Sequence, residues 1–214
     1  MTGLIIASIL APFLGGLLVL VIPRAWIKLF SQAVALAAAA CSLLLLISFA
    51  SAGKTPATVN LISLGNTVVF GLVIDRLSVL IGLAFILVGF LIVVYSTGYL
   101  SDKNREHPEK EVERRYYFFL LCFIGSMAGV VYASTMLGML IFFELTGVCS
   151  WGLIGYYDNE KARKAALKAI IVTQAASIGL YAATAYFFAV TRSLQLSEMA
   201  GLTESAKTVI FLGV

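Results

Sequence analysis

The chain has 214 residues, of which 61% are hydrophobic and 12% are charged, and its mean hydropathy is +1.00. Soluble domains carry about 25% charged residues, so this composition indicates an integral membrane protein and excludes a soluble globular one. The net charge of +4 does not indicate a nucleic-acid partner, because the basic residues cluster in short segments between apolar runs, where they set membrane orientation.

Six apolar stretches are long enough to cross a membrane. A hydrocarbon core of about 30 Å requires about 20 helical residues. The predicted spans are 4–23, 27–50, 77–94, 116–132, 136–157 and 165–189. A seventh apolar run opens at Val209, close to Val214. We therefore predict an all-α membrane protein with six complete transmembrane helices and the start of a seventh.

Two connections between these spans carry local signals. The polar step Ser134-Thr135 divides the long apolar run 116–157, which predicts a helical hairpin. Segment 57–75 has β-branched residues on both sides of Gly65-Asn66, which predicts a short β-hairpin over the outer face. At its end, Asp75 and Arg76 are predicted to form a local ion pair.

The distribution of lysine and arginine predicts the orientation. With the amino terminus outside the cell membrane, three basic residues fall in outer segments: Lys54, Arg76 and Arg192. The inner segments then hold ten: Arg24, Lys28, Lys103, Arg105, Lys110, Arg114, Arg115, Lys161, Arg163 and Lys164. This bias follows the positive-inside rule, so we predict a multi-pass protein of the cell membrane with its amino terminus outside. The inner segment 101–115 balances its charges and is interpreted as a solvated loop, with a docking site for another protein as the alternative.

The sequence offers no residue pattern typical of soluble-type catalysis or of metal binding. Cys41, Cys122 and Cys149 lie in apolar runs without metal-ligand spacing, so we expect small buried hydrophobes. The single histidine, His107, lies in a charged loop, whereas a membrane haem needs intramembrane axial histidines. No phosphate loop or nucleophile elbow occurs. We predict no catalytic site, cofactor or metal on this chain.

One acidic residue, Glu144, lies inside a predicted span. Counting about 1.5 Å per residue from Thr135, it lies about 13 Å deep, near the bilayer midplane. An unpaired charge there costs at least about 2.5 kcal/mol, so the side chain should face the bundle interior, pair with a cation or carry a proton. Burial favours the neutral form of a carboxyl and a nearby cation favours the charged form, so a moving partner would load and unload a proton.

The neighbours of Glu144 suit such a role. Thr146 and Ser150 offer hydroxyls, and Gly147 leaves room for a helix or a water. The alternative is a satisfied interhelical hydrogen bond without transport. Lys168, on the next helix, is a candidate cation about 7 Å away in depth. It pairs with Glu144 directly or through water, or it extends to the inner headgroups.

The stretches "VIDRLSVLIGLAFILVGFLIVVYSTGYL" and "VYASTMLGMLIFFELTGVCSWGLIGYYDNEKARKAALKAIIVTQ" resemble the antiporter-like family. This family comprises subunit 5 of complex I, the large subunits of multisubunit Na+/H+ antiporters, and their counterparts in membrane-bound hydrogenase and sulfur-reducing complexes. The resemblance implies that Glu144 is a proton-relay residue modulated by a lysine on a broken seventh helix. It also implies that residues 1–115 are three initial helices with their loops, and residues 116–214 a partial first repeat. Gln174 and Ser177 stand where respiratory members carry arginine and aspartate, which favours the antiporter and hydrogenase branch.

These expectations leave three hypotheses. The first is a membrane subunit of a respiratory-type or hydrogenase-type complex, whose half-channel for H+ or Na+ is completed by a partner chain, with Glu144 and Lys168 as relay residues. The second is a structural scaffold with an inactive half-channel, because the seventh-helix lysine of the family is not in this sequence. The third, a standalone transporter, is weakest, since the sequence shows no inverted repeat.

Overall fold

The computed structural model describes residues 1–53, 55–65, 67–100, 113–157 and 159–213. Its helices are α1 (Thr2–Val19), α2 (Ile27–Ser51), α3 (Arg76–Tyr99), α4 (Glu113–Tyr132), α5 (Met136–Ile154), α6 (Glu160–Thr191) and α7 (Glu204–Gly213). Strands β1 (Ala57–Leu64) and β2 (Thr67–Ile74) lie between α2 and α3. Helices α1 to α6 are long and apolar enough to cross a membrane, so the predicted fold class and its six spans are confirmed.

The ends of the helices differ from the sequence prediction where local chemistry intervenes. Helix α1 ends at Val19, and Pro23 then precedes a 3-10 turn, Arg24–Trp26, because proline lacks the N–H that a continuing helix needs. Helix α6 begins at Glu160, five residues before the predicted start of the span at residue 165. The Asn159 side chain caps it there, accepting a hydrogen bond of 2.7 Å from the Ala162 N–H. Lys103, Arg105, His107 and Lys110 lie outside the described residues.

The predicted β-hairpin is confirmed. Strands β1 and β2 pair antiparallel, and Gly65 at the turn has φ +58°, a left-handed conformation that favours glycine. The hairpin packs on the turn between α4 and α5, where the Ser134 N–H donates to the Gly71 carbonyl at 3.0 Å. The Thr135 hydroxyl donates to the Val69 carbonyl, also at 3.0 Å. The hairpin thus fixes the place where α5 begins.

Helices α5 and α3 both begin at a polar side chain that caps the helix. Thr135 caps α5, accepting a hydrogen bond of 3.1 Å from the Gly138 N–H, which confirms the predicted break at Ser134-Thr135. The predicted ion pair between Asp75 and Arg76 is wrong. The Asp75 carboxylate instead accepts the Ser78 N–H at 2.7 Å as part of a capping box, because a helix start offers unpaired backbone donors.

Helix α4 lies at the centre of the bundle. It contacts α1, α3 and α5, and α5 contacts α6 on its other side. Tyr117 and Tyr132, near its two ends, are fully buried in the main core. A second, smaller core joins α7 to α5 and α6 through Met136, Leu140, Phe187 and Ile210. The order α4, α5, α6 across the bundle places Glu144 between helices.

The ends of the six helices define two ends of the bundle. The hairpin end contains the β-hairpin and Thr135. The basic end contains Arg24, Glu113 and Asn159. At the basic end Glu113, 5% exposed, forms ion pairs with Lys28 at 2.6 Å and with Arg24 at 3.7 Å. The Arg114 guanidinium donates to the Val19 carbonyl at 3.0 Å, at the end of α1. These contacts tie α4 to α1 and α2.

Glycine at position 129 allows α4 and α5 to approach closely. A Cβ built on Gly129 would collide with the ring of Phe142, which is 8% exposed and packs against the rings of Phe13 and Phe70. A Cβ built on Gly147 of α5 would lie 3.8 Å from the Thr173 hydroxyl, which is an ordinary van der Waals contact. Small residues at helix contacts are typical of membrane bundles.

We expect Gly129→Ala to lower the free energy of unfolding by about 1–3 kcal/mol, because the added methyl group overpacks the contact with Phe142. Thermal unfolding in detergent, followed by circular dichroism, measures this change. Gly147→Ala is the matched control and should unfold at the native temperature. Equal stability of both variants would contradict the packing argument.

We expect Lys28→Met to destabilise the bundle by about 2 kcal/mol, because it leaves the buried Glu113 carboxylate short of a cation. Lys164→Met is the control: its pair with Glu160, 2.7 Å long, is solvent-exposed on both sides and contributes little. The same unfolding measurement applies. A melting temperature for Lys28→Met no lower than that of Lys164→Met would show that the Glu113 pair is not structural.

Candidate functional site

Glu144 lies in the middle of α5, on the side that faces α6. Thr135, the cap of this helix, is nine residues earlier, which places Glu144 about 13 Å along the helix from its start. The side chain is half-buried, and neither α5 nor α6 carries another acidic residue within its apolar central part. The carboxylate therefore meets α6 and does not point straight into the surrounding lipid region.

The partner of this carboxylate is Gln174 on α6. Its Nε2 donates to Glu144 Oε2 at 2.5 Å. The other oxygen, Oε1, is buried, and no group in the described part of the chain hydrogen-bonds to it. The Tyr181 side chain, two turns further along α6, is close enough to interact with the carboxylate both electrostatically and through its hydroxyl. Gln174 thus holds one oxygen, and Tyr181 is a second polar neighbour of the carboxylate.

A cavity of about 240 Å³ adjoins the carboxylate. Three helices line it: Phe143, Glu144, Thr146, Gly147 and Ser150 from α5, Thr173, Gln174 and Ser177 from α6, and Phe123 and Met127 from α4. Because a water molecule occupies about 30 Å³ in the liquid, the space is large enough for several. Of these lining residues, Glu144 is the one that ionises.

The hydroxyl groups of the cavity are held by their own helices. Thr146 donates to the Phe143 carbonyl at 2.6 Å, and Ser177 donates to the Thr173 carbonyl at 3.1 Å. Thr173 donates to the Ala169 and Ile170 carbonyls at 3.1 and 3.0 Å. A hydroxyl that donates to backbone keeps lone pairs for accepting, so the cavity presents acceptors to a water, a proton carrier or a cation.

The structure brings Thr146 and Ser150 to the same cavity as Glu144, but it does not bring Lys168 there. Lys168 is exposed and forms no ion pair with Glu144. It precedes Gln174 by six residues, which corresponds to about 9 Å along α6 and a turn of about 120° around it. Lys168 therefore lies nearer the basic end and on another side of the helix.

Two further cavities flank the Glu144 site. Toward the basic end, a cavity of about 270 Å³ is lined by residues that include Arg115, Trp151 and Arg163. The Arg115 guanidinium lies 5.9 Å from the centre of the Trp151 ring. Toward the hairpin end, the nearest cavity is lined mainly by apolar side chains such as Leu137, Leu140 and Phe188. The polar surroundings of Glu144 thus continue toward the basic end.

Sequence reasoning did not pair Gln174 with Glu144. A signal was present, because Gln174, Ser177 and Tyr181 follow one another at spacings of three and four residues, which places them on one face of α6. Glu113 was likewise assigned to a solvated loop, although it is buried. Its basic partners Lys28 and Arg24 come from a distant part of the sequence, so no local pattern indicated the contact.

Two family models match the chain. One, described as NADH:quinone oxidoreductase/Mrp antiporter, TM, matches residues 133–214. The other, described as NADH-ubiquinone oxidoreductase (complex I), chain 5 N-terminus, matches residues 61–108. The first match contains Glu144, Lys168 and Gln174, and the second contains β2 and α3.

Curated relatives point the same way. The chain is 30% identical over 131 residues to NAD(P)H-quinone oxidoreductase subunit 5, chloroplastic, of Cichorium intybus, covering 61% of this chain and 17% of that protein. It is 30% identical over 135 residues to the putative antiporter subunit mnhA2 of Staphylococcus aureus, covering 63% and 16%. The matches thus span less than a fifth of the length of these relatives.

Two solved structures share the fold. A chain of the membrane-bound sulfane sulfur reductase (MBS), an archaeal respiratory membrane complex, aligns with TM-score 0.79 and 20% identity, covering 98% of this chain and 42% of that one. A chain of the Mrp complex from Dietzia sp. DQ12-45-1b aligns with TM-score 0.78 and 21% identity, covering 98% and 22%. With the sequence matches, they confirm the predicted resemblance of this chain to the antiporter-like family of membrane subunits.

Proposed function

We propose that this multi-pass membrane protein is an ion-translocating subunit of a multisubunit complex, with Glu144 as the residue that carries the proton. The observation that supports this most directly is the Glu144 carboxylate itself, which keeps one buried oxygen without a partner beside a cavity with acceptor groups. Burying a polar atom without a partner is costly, so a water or a proton that reaches this oxygen through the cavity would stabilise it. H+ is the transported ion we favour, and Na+ is the alternative.

The route to Glu144 begins at the basic end. Ser150 lies on the basic-end side of the Glu144 cavity, and Trp151, the next residue, lines the cavity that also holds Arg115 and Arg163. The cavity on the other side is largely apolar. We infer a half-channel that opens toward the basic end, which the charge distribution assigns to the cytoplasm, with the amino terminus outside.

Release of the proton requires a cation that approaches and withdraws. A nearby positive charge favours the charged carboxylate and its removal favours the protonated form. Lys168 is one candidate, reaching Glu144 through water or a change of rotamer. The other candidate is a lysine from another polypeptide or from a further segment of the same fold. Such a partner would complete the half-channel.

A scaffold with an inactive half-channel is the second candidate function. In the part of the chain that the structure describes, no cationic side chain lines the Glu144 cavity, and Lys168 lies on another side of α6. In that case Glu144 is a structural hydrogen-bond acceptor for Gln174, and α5 and α6 serve to position neighbouring subunits. The two functions differ in what happens when the carboxylate is neutralised.

We expect Glu144→Gln to lower ion translocation by the assembled membrane complex about tenfold or more, because an amide accepts no proton in this pH range. Membrane vesicles with a fluorescent probe of the pH gradient measure the rate. Lys168→Gln is the companion variant: a comparable loss identifies Lys168 as the modulator, and an unchanged rate assigns that role to a lysine elsewhere.

The control for this experiment is assembly. Glu144→Gln keeps the size of the side chain, so the complex should assemble in native amounts, as measured by native gel electrophoresis. Native translocation by a fully assembled Glu144→Gln complex would reject the relay role and favour the scaffold.

The half-channel makes a second prediction about water access. In a chain whose Cys41, Cys122 and Cys149 are replaced by alanine, the Ser150→Cys variant should react with a small charged thiol reagent applied from the basic end, because only a hydrated thiol forms the reactive thiolate readily. Thr184, buried beside the apolar hairpin-end cavity, gives the matched control Thr184→Cys, which should react about tenfold more slowly or less. Equal rates would remove the evidence for a hydrated route.

A further inference from the structure

We propose that Gln174 is a positioning residue for Glu144, which sets the pH at which this carboxyl takes up a proton and directs its Oε1 toward the cavity. The inference rests on the proposed function for its meaning but not for its test. It begins from the hydrogen bond of 2.5 Å between Gln174 Nε2 and Glu144 Oε2, and from the buried Oε1 that this bond leaves unpaired.

The geometry divides the carboxylate into two halves. Oε2 is occupied by an amide that belongs to the neighbouring helix. Oε1 is buried and has no hydrogen-bond partner in the described part of the chain, and the Glu144 side chain lines the cavity formed with α4 and α6. A proton that arrives through the cavity therefore meets Oε1, because Oε2 is already engaged by a donor. The amide thus determines which oxygen exchanges protons.

An amide differs from a cation as a partner in this position. A carboxylate accepts hydrogen bonds only, whereas the protonated form has an O–H to donate. The Gln174 side chain carries both an NH₂ donor and a carbonyl acceptor, so it has a hydrogen bond to offer in each protonation state. An ammonium or guanidinium group would serve the charged state alone. Gln174 therefore permits Glu144 to cycle between states.

Gln174 and Tyr181 are the polar neighbours that the described part of the chain brings to the Glu144 carboxylate. On α6, Tyr181 faces the carboxylate, and Lys168 is exposed on another side of the helix. From α4, the cavity receives Phe123 and Met127, neither of which ionises. A change at Gln174 should therefore appear directly in the protonation of Glu144.

The test measures protonation without measuring transport. A hydrophobic carbodiimide reacts with protonated carboxyl groups inside membranes, so its labelling of the chain is followed over a pH series in vesicles containing the assembled complex. Labelling that is absent in Glu144→Gln identifies the Glu144 adduct. The midpoint pH of this labelling is compared among variants at position 174.

Gln174→Met keeps the length of the side chain and removes its donor, which stabilises the charged carboxylate most. We expect the labelling midpoint to rise by about one pH unit. Gln174→Lys introduces a cation, and the midpoint should fall by about one pH unit. A merely structural role does not produce opposite shifts, because loss of packing affects both variants in the same direction.

Thr184→Val is the matched control, since Thr184 lies on the same helix outside the lining of the Glu144 cavity and its hydroxyl donates to the Leu180 carbonyl at 2.8 Å. Its labelling midpoint should equal that of the native chain. Where Gln174→Met does not assemble, Gln174→Leu replaces it: this side chain also lacks a donor, so the midpoint again rises.

The positioning role would be overturned if the position-174 variants kept the native labelling midpoint, or if Gln174→Met and Gln174→Lys shifted that midpoint in the same direction. The proposed function fails separately, when Glu144→Gln still translocates ions. Opposite labelling shifts together with full transport by Glu144→Gln would keep the role of Gln174 and reject the relay.

Discussion

A carboxylate between membrane helices must find partners within the protein, because the hydrocarbon region supplies no water to solvate it. This constraint organises the site of Glu144. Gln174 satisfies one oxygen across the α5–α6 contact, the other oxygen is buried without a hydrogen-bond partner in the described residues, and the side chain lines a cavity in which the Thr146, Thr173 and Ser177 hydroxyls donate to backbone. The result is a group that is held in place and yet incompletely satisfied, which is the condition for exchanging a proton.

The rest of the bundle holds this arrangement in register. At the hairpin end, β2 fixes Ser134 and Thr135 by backbone contacts, and so sets where α5 begins and where Glu144 lies along it. At the basic end, Glu113 and its cations hold α4 against α1 and α2. Close packing of Gly129 against Phe142 joins α4 to α5. Each contact lies outside the cavity, and together they determine the spacing between the three helices that line it.

The family models and relatives that match this chain are described as complex I and Mrp antiporter subunits, although the matched region is a small part of each relative. The fold is shared over nearly the whole of this chain. The Gln174 partner of the acid in this site is neutral. Because Gln174 both donates and accepts, it has a hydrogen bond to offer Glu144 in either protonation state, and in the function we propose an approaching cation selects the charged one.

Composition and apolar run length determined the membrane class and the six spans, since the cost of exposing polar groups to lipid acts on every residue of a helix alike. The polar step at Ser134-Thr135, the turn at Gly65 and the isolated Glu144 were also readable, because each is a local break in an apolar pattern. The partners were decided by tertiary structure. Gln174 for Glu144, and Lys28 for Glu113, come from other helices, and their contacts depend on the rotation of one helix against another. No sequence period encodes that rotation by itself. The sequence therefore indicated Lys168, which lies on the same helix as the observed partner but about 120° away around it. The fold instead supplies Gln174.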